Sequence, residues 1–204
     1  MELRARLPIL TRPARPARRA RLAHSALIAF LAFIAALPIA APDAQAKLYR
    51  TREQALEHVF GTEAQLRPRT VYLTPAQVDS VRELARAPFD TPRLTYWEAS
   101  AGDSLLGRAY LDTHLVRSMF ETVLVAVAPA GEVRAVDILA FHEPEDYLPP
   151  GRWLEKLLGR TLSERLAPGD DVDAISGATL SVRAVTGTVR RVLALDRLLH
   201  EEAP

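Results

Sequence analysis

The chain contains no cysteine, which excludes disulfides, iron–sulfur ligation, c-type haem attachment through cysteine and a lipid anchor on an N-terminal cysteine. Basic charge is also scarce once the first residues are set aside. Residues 1–46 hold seven of the 26 Lys and Arg but only Glu2 and Asp43 of the 25 acidic residues, so 19 basic and 23 acidic residues remain and the rest of the chain carries a net charge of −4. Nucleic-acid binding needs a basic face on the folded domain, and this composition gives no argument for one. There is no internal repeat or low-complexity tract. Ser176 is not set in a Gly-x-Ser-x-Gly elbow, and no His or Asp spacing identifies triad partners, which argues against a serine hydrolase. Asp170, Asp171 and Asp173 lack the EF-hand spacing and offer too few oxygens for a hard cation, so no permanent metal site is expected.

What is present begins with a leader. Arg12, Arg15, Arg18, Arg19 and Arg21 precede an apolar run from Ala26 to Ala41, and Ala44-Gln45-Ala46 places small residues at −3 and −1 of a cleavage site. Residues 1–46 therefore read as a secretory signal cut after Ala46, with an uncleaved anchor as the alternative. The apolar run is shorter than the ~20 residues that usually span a bilayer, and Pro38 interrupts it. Residues around Arg18-Arg19 match the twin-arginine pattern poorly. The expected location is the periplasm, with attachment to the inner membrane if the leader is retained.

The remaining residues, 47–204, suit one domain able to bury its own core. Its N-terminal part, 47–90, reads as helical. Thr51 with Gln54 and Thr74 with Gln77 form two capping boxes, the second with Pro75 at the first helical position, which predicts short helices over 52–60 and 75–86 separated by Arg67-Pro68-Arg69. From Arg93 the period changes. Leu94–Trp97, Gly107–Leu111, Thr122–Ala128 and Val133–Phe141 are rich in β-branched and aromatic residues and read as four strands, the last two joined as an antiparallel hairpin through Pro129-Ala130-Gly131-Glu132. A short helix is expected near Trp153–Leu158. A long one over about Leu180–His200 places Val182, Val185, Val189, Val192, Leu193 and Leu199 near helical spacing. Its valines lower its intrinsic propensity, so packing must hold it. The fold class is α+β, an antiparallel sheet packed by helices.

The most informative stretch is Asp173-Ala174-Ile175-Ser176-Gly177-Ala178-Thr179, set just before that long helix. Gly177 can adopt φ > 0, Ala178 leaves room for a close ligand, and the helix start offers unpaired N–H groups at its positive end, among them those of Leu180 and Ser181. An anion is stabilised in such a place. The competing reading is an ordinary helix cap by Ser176 or Thr179 with Gly177 in a turn.

The run resembles the flavinylation motif Asp-x-x-Ser/Thr-Gly-Ala-Thr of the FMN-binding domain family, found in subunits of the sodium-translocating NADH:quinone reductase and of the Rnf electron-transport complex, and every fixed position matches. The resemblance implies a single FMN-binding domain over 47–204 with FMN on Thr179 through a phosphoester bond installed by a separate flavin transferase. A threonine hydroxyl is a poor nucleophile without an activating base or metal, which agrees with an external enzyme. Similarity extends more loosely from the strand near Gly107 to the final helix. His142-Glu143-Pro144 followed by Trp153-Leu154 is similar to a family segment in which a Glu precedes a Thr-Pro-Gly turn and a tryptophan-bearing helix, although Pro-Glu-Asp-Tyr-Leu-Pro-Pro replaces the turn here. Glu143 is thus a candidate flavin contact. Tyr147 and Trp153 are candidates to stack on the isoalloxazine, against the competing role of core packing. His142 could donate to a reduced flavin or carry a proton, against the role of a surface or capping residue. The function implied is an exported electron carrier rather than a stand-alone enzyme, relaying electrons between membrane or periplasmic redox proteins such as a cytochrome or quinone-linked reductase. An envelope binding or assembly module of the same fold without flavin is the alternative.

Overall fold

The computed structural model describes residues 47–200. The segment read as a leader, its expected cleavage site and residues 201–204 lie outside the described residues. Six strands form one antiparallel sheet: β1 (Lys47–Leu48), β2 (Gln65–Tyr72), β3 (Arg93–Ala101), β4 (Ser104–Leu115), β5 (Phe120–Val127) and β6 (Val133–Phe141). Their spatial order is β1-β6-β5-β4-β3-β2. Strands β2 to β6 thus run as a meander, and β1 closes the far edge against Phe141 and Ala140.

Among the described residues four α-helices accompany the sheet: α1 (Arg52–Phe60), α2 (Pro75–Ala85), the single turn α3 (Gly151–Leu154) and α4 (Thr179–His200). The first two start where the capping boxes place them. Gln54 N donates to Thr51 Oγ1 at 3.2 Å and Thr51 N to Gln54 Oε1 at 2.9 Å, and Thr74 with Gln77 repeats the exchange at 3.3 and 2.9 Å. Each box satisfies two donors that a helix start otherwise leaves orphaned.

The N-terminal part is not purely helical, which corrects the sequence reading. Arg67-Pro68-Arg69 is no separator but the middle of β2, and β1 precedes α1. Pro68 was misleading because a proline cannot donate to a ladder; β2 tolerates it as an edge strand, paired on one side only, where Pro68 lies opposite Trp97. The four strands and the hairpin expected downstream are present.

The sheet is covered on both faces. Strand β5 is buried on both sides, so Val123, Val125 and Val127 join one core while Leu124 and Ala126 join the other. In the larger core Tyr96, Tyr110, Ile138 and Phe141 pack with Val81 and Ala85 of α2 and with Val182, Val185, Val189, Val192 and Leu193 of α4. That burial holds the valine-rich α4 helical, at ~1.5–3 kcal/mol per large side chain. The smaller core is α1, through Ala55, Leu56 and Phe60, against Ala99, Ala109 and Leu139. Its close approach depends on Gly107. A Cβ there, at φ +149°, would stand 2.5 Å from Val127 O and 3.2 Å from Phe60 Cε1. Among the described residues no helix is long and apolar enough to cross a membrane.

Candidate functional site

The loop that leads to α4 is tied down at Asp173. Trp153 Nε1 donates to Asp173 O at 2.7 Å, and the Asp173 carboxylate pairs with Lys156. Trp153 is buried in the larger core. Its indole therefore anchors the loop and is not free to stack on a ring at the surface. Gly177 then turns the chain at φ +87°, and Ala178 N donates to Ile175 O at 3.3 Å. Nothing lies within 4 Å of where a Gly177 Cβ would be, so the glycine is demanded by the left-handed backbone alone.

Helix α4 starts at Thr179 with its donors unspent. The first helical bond runs from Val182 N to Ala178 O at 3.0 Å. Among the described residues, the N–H groups of Thr179, Leu180 and Ser181 find no backbone acceptor. Thr179 is exposed, and its hydroxyl donates only a long 3.3 Å bond to Ile175 O. Ser181 is 1% exposed and its Oγ has no partner. A buried hydroxyl without a hydrogen bond costs on the order of 1–3 kcal/mol, and here it lies beside three free N–H groups at the positive end of a 22-residue helix.

These residues line a cleft of about 130 Å³, with Gly177 to Ser181 on one side and Val116, Arg117, Glu143 and Tyr147 on the other. Arg117 and Val116 were not legible as site residues, because they sit in the β4–β5 turn some 60 positions upstream and belong to no motif. Glu143 builds that turn. Its Oε1 accepts from the backbone N–H groups of Arg117, Ser118 and Met119 at 3.2, 2.6 and 2.9 Å, and from Ser118 Oγ at 3.3 Å. The Ser118 N–H, with its neighbours, holds the Glu143 carboxyl below the usual range. The Arg117 guanidinium is exposed, and no carboxylate among the described residues pairs with it. Of the residues named from the sequence, Gly177, Ala178, Thr179, Leu180, Ser181, Glu143 and Tyr147 meet in the cleft. Asp173, Ser176 and Trp153 shape the loop from outside it. His142 is turned aside, its Nδ1 donating to Phe120 O at 2.8 Å.

Two turns further along α4 a second polar cluster joins helix to sheet. His114 meets Asp112 Oδ1 through Nδ1 and Glu121 Oε2 through Nε2, both at 3.1 Å. Arg191 Nε donates to Asp112 Oδ2 at 2.8 Å, and Arg191 Nη2 to Thr188 Oγ1 at 2.8 Å. Burial opposes the His114 charge, but the hydrogen bonds to Asp112 and Glu121 prevail and push its pKa up to about 9. Burial likewise opposes ionisation of Asp112, yet bonds from His114 and Arg191 hold its pKa below the ordinary value.

A covered antiparallel sheet, a glycine turn and an unspent helix N-terminus with a cation opposite form a site whose chemistry suits an anionic ligand. Residues 120–194 match the family model of the FMN-binding domain. This segment, which runs from β5 to Ala194 of α4, supports the assignment of an FMN-binding domain here and thereby a flavoprotein. No curated protein matches the chain. The donor set fits the phosphate of FMN: three N–H groups, the orphaned Ser181 Oγ and Arg117 share one cleft with Thr179.

Proposed function

We propose that the protein is an exported electron-transfer flavoprotein in which FMN is joined to Thr179 through a phosphoester bond formed by a separate flavin transferase. The observation that carries this reading is the Thr179 hydroxyl, exposed at the start of α4 and next to the unpartnered Ser181 Oγ. An exposed hydroxyl is reachable by a second enzyme, and the unspent donors are placed to hold the phosphate once it is attached. When bound, FMN supplies one- and two-electron chemistry, and the protein supplies position and electrostatics. In this chain Arg117 balances phosphate charge, Ser181 and the helix N-terminus orient it, and Glu143 fixes the turn that presents Arg117. A covalent tether keeps the cofactor from diffusing away in an open compartment such as the periplasm. The net charge of −4 outside the leader favours transient docking on a basic patch of a cytochrome or quinone-linked reductase by electrostatic steering.

The test is intact mass and in-gel fluorescence of protein exported from a host that supplies the transferase, beside a Thr179→Ala variant. The expected outcome is a denaturation-resistant flavin adduct in the parent and none in the variant. An unmodified, colourless parent in the presence of active transferase sinks the tether.

A further inference from the structure

Positive charge gathers where the end of α2 meets α4. Arg190 is 7% exposed and donates to Ala85 O, Ser163 O and Leu166 O. These carbonyls satisfy its hydrogen bonds but bring no negative charge, and no carboxylate among the described residues pairs with it. Its Nη2 makes none of the three bonds. Burial pushes the pKa of this guanidinium below its ordinary value, and the Arg86 cation adds to the push while Glu164 opposes it. A buried charge without a counter-ion is costly.

Arg86 is held over the same spot. It caps α2 at φ +50°, the only left-handed residue other than glycine among the described residues. Its chain neighbours pin it to α4: Ala85 O accepts from Arg190 Nε, and Ala87 Cβ lies 4.0 Å from where a Cβ on Gly187 would stand. The Arg86 side chain pairs with Glu164, and both lie mostly in solvent, so the pair is weak. Two guanidinium groups thus share one exposed carboxylate. They line an open cleft of about 1640 Å³. Arg183, about two turns before Arg190 on α4, lines it too, exposed and paired with no carboxylate among the described residues. The other arginines of the lining are already neutralised, Arg82 by Asp79 and Arg191 by Asp112. That leaves three cations to Glu164 and Asp90, a local reversal of sign in a domain of net charge −4.

We propose that this cleft binds a small oxoanion, the carboxylate or phosphate group of a metabolite, between Arg86 and Arg190 with Arg183 at its rim. The planar guanidinium fork presents paired N–H donors that match two oxygens of either group. The incoming anion supplies the counter-charge that Arg190 lacks. It draws Arg86 from Glu164 at little loss, because that pair is solvated. The cleft is far larger than one anionic group, which leaves room for the body of an organic ligand. Leu180 lines both this cleft and the small one at Thr179, so the two sites are neighbours. The oxoanion site stands on Arg86 and Arg190 and is independent of flavin attachment at Thr179.

The test titrates inorganic phosphate and acetate, at constant ionic strength, into the full exported chain treated with its transferase, and follows arginine Nε–H and backbone signals by heteronuclear NMR. Saturable shifts at Arg86 and Ala87 are expected with at least one ion, and the tighter of the two tells a phosphoryl from a carboxylate ligand. Arg86→Gln should weaken binding about tenfold, the loss of one charge-assisted pair, and Arg183→Gln about threefold. Glu164→Gln, which frees Arg86, should strengthen it about threefold, a gain that a purely structural Arg86–Glu164 pair does not give. No shift with either ion overturns the site, as do Arg86→Gln and Glu164→Gln variants that titrate like the parent. Shifts confined to Thr179–Ser181 that only Arg117→Gln weakens also overturn it, because they place the anion in the small cleft. A colourless parent that still binds the ion at Arg86 sinks the flavin tether and leaves this site standing.

Discussion

The first turn and the middle of α4 are built on opposite rules. At the first turn three N–H groups and the Ser181 hydroxyl are without partners, the backbone is left-handed at Gly177, and Arg117 lines the cleft opposite. In the middle Arg190 is 7% exposed and spends its guanidinium on Ala85 O, Ser163 O and Leu166 O at 2.5, 2.6 and 2.9 Å, while Arg191 is locked to Asp112. Both regions gather charge and hydrogen-bonding groups. In the first they are left unmatched beside an open cleft, whereas in the second Glu121 Oε1 is the exception within a matched cluster, and an unmatched buried polar group calls for an explanation such as a ligand that completes it. One helix therefore serves as clamp and as cradle, and the clamp allows the cradle to keep its unsatisfied groups.

The largest effect is expected from breaking the clamp. Arg190→Met preserves apolar bulk but strands three carbonyls at the junction of α2, α4 and the loop before the site, and unfolding free energy should drop by about 3 kcal/mol in a denaturant titration. A loss under about 0.5 kcal/mol would mean that valine packing alone docks α4.

The His114 cluster sharpens the same contrast through pH. Its folded pKa of about 9 lies above the ordinary 6.5, so its stabilisation is complete below about pH 6.5 and drains away as pH rises through about 9. Loss of the imidazolium would leave Glu121, 0% exposed with Oε1 already unpartnered, facing a neutral ring. The groups facing His114 are Asp112 on β4, Glu121 on β5, and Thr188 and Arg191 on α4. Parent protein should lose about 1–2 kcal/mol across that window relative to His114→Gln. Parallel pH profiles for the two proteins would remove His114 from the clamp.

The clamp and the cradle were unequally legible. The cradle was written locally: glycine, alanine and threonine within four positions of a helix start mark a candidate anion site through backbone geometry alone. The clamp was not. Arg190 and Arg191 belong to no motif, and only the fold shows that Arg190 points into carbonyls from two distant segments. Glu143 was legible as a candidate through resemblance, yet its observed bonds are to the β4–β5 turn, a partner that no spacing indicates. Pro68 hid β2 because the propensity argument is silent on which strand is an edge. In each case the missing information was the identity of a neighbour remote in sequence.

In the cradle, Gly177→Ala isolates backbone strain, since no atom waits within 4 Å of the new methyl group. Holding alanine at φ +87° should cost about 1 kcal/mol of stability and lower the yield of flavinylated protein. Gly177→Asn, which tolerates the left-handed region better, should fall between the two. Equal yields for all three would show that the turn relaxes without harm to the site.

Arg117 should give the smallest effect on folding and the most selective one on the site. It is exposed and touches no carboxylate, so Arg117→Gln should leave stability within about 0.5 kcal/mol. Its cation nonetheless faces the donors of α4 across the small cleft. In the Thr179→Ala background, where no tether masks affinity, FMN added in solution should bind about threefold more weakly to the Arg117→Gln variant at low ionic strength, with the difference fading as salt screens an exposed charge. Riboflavin, which has no phosphate, should not distinguish the two proteins. A deficit equal for FMN and riboflavin would place Arg117 against the ring and not the phosphate, and would move the anion cradle wholly onto Ser181 and the backbone of α4.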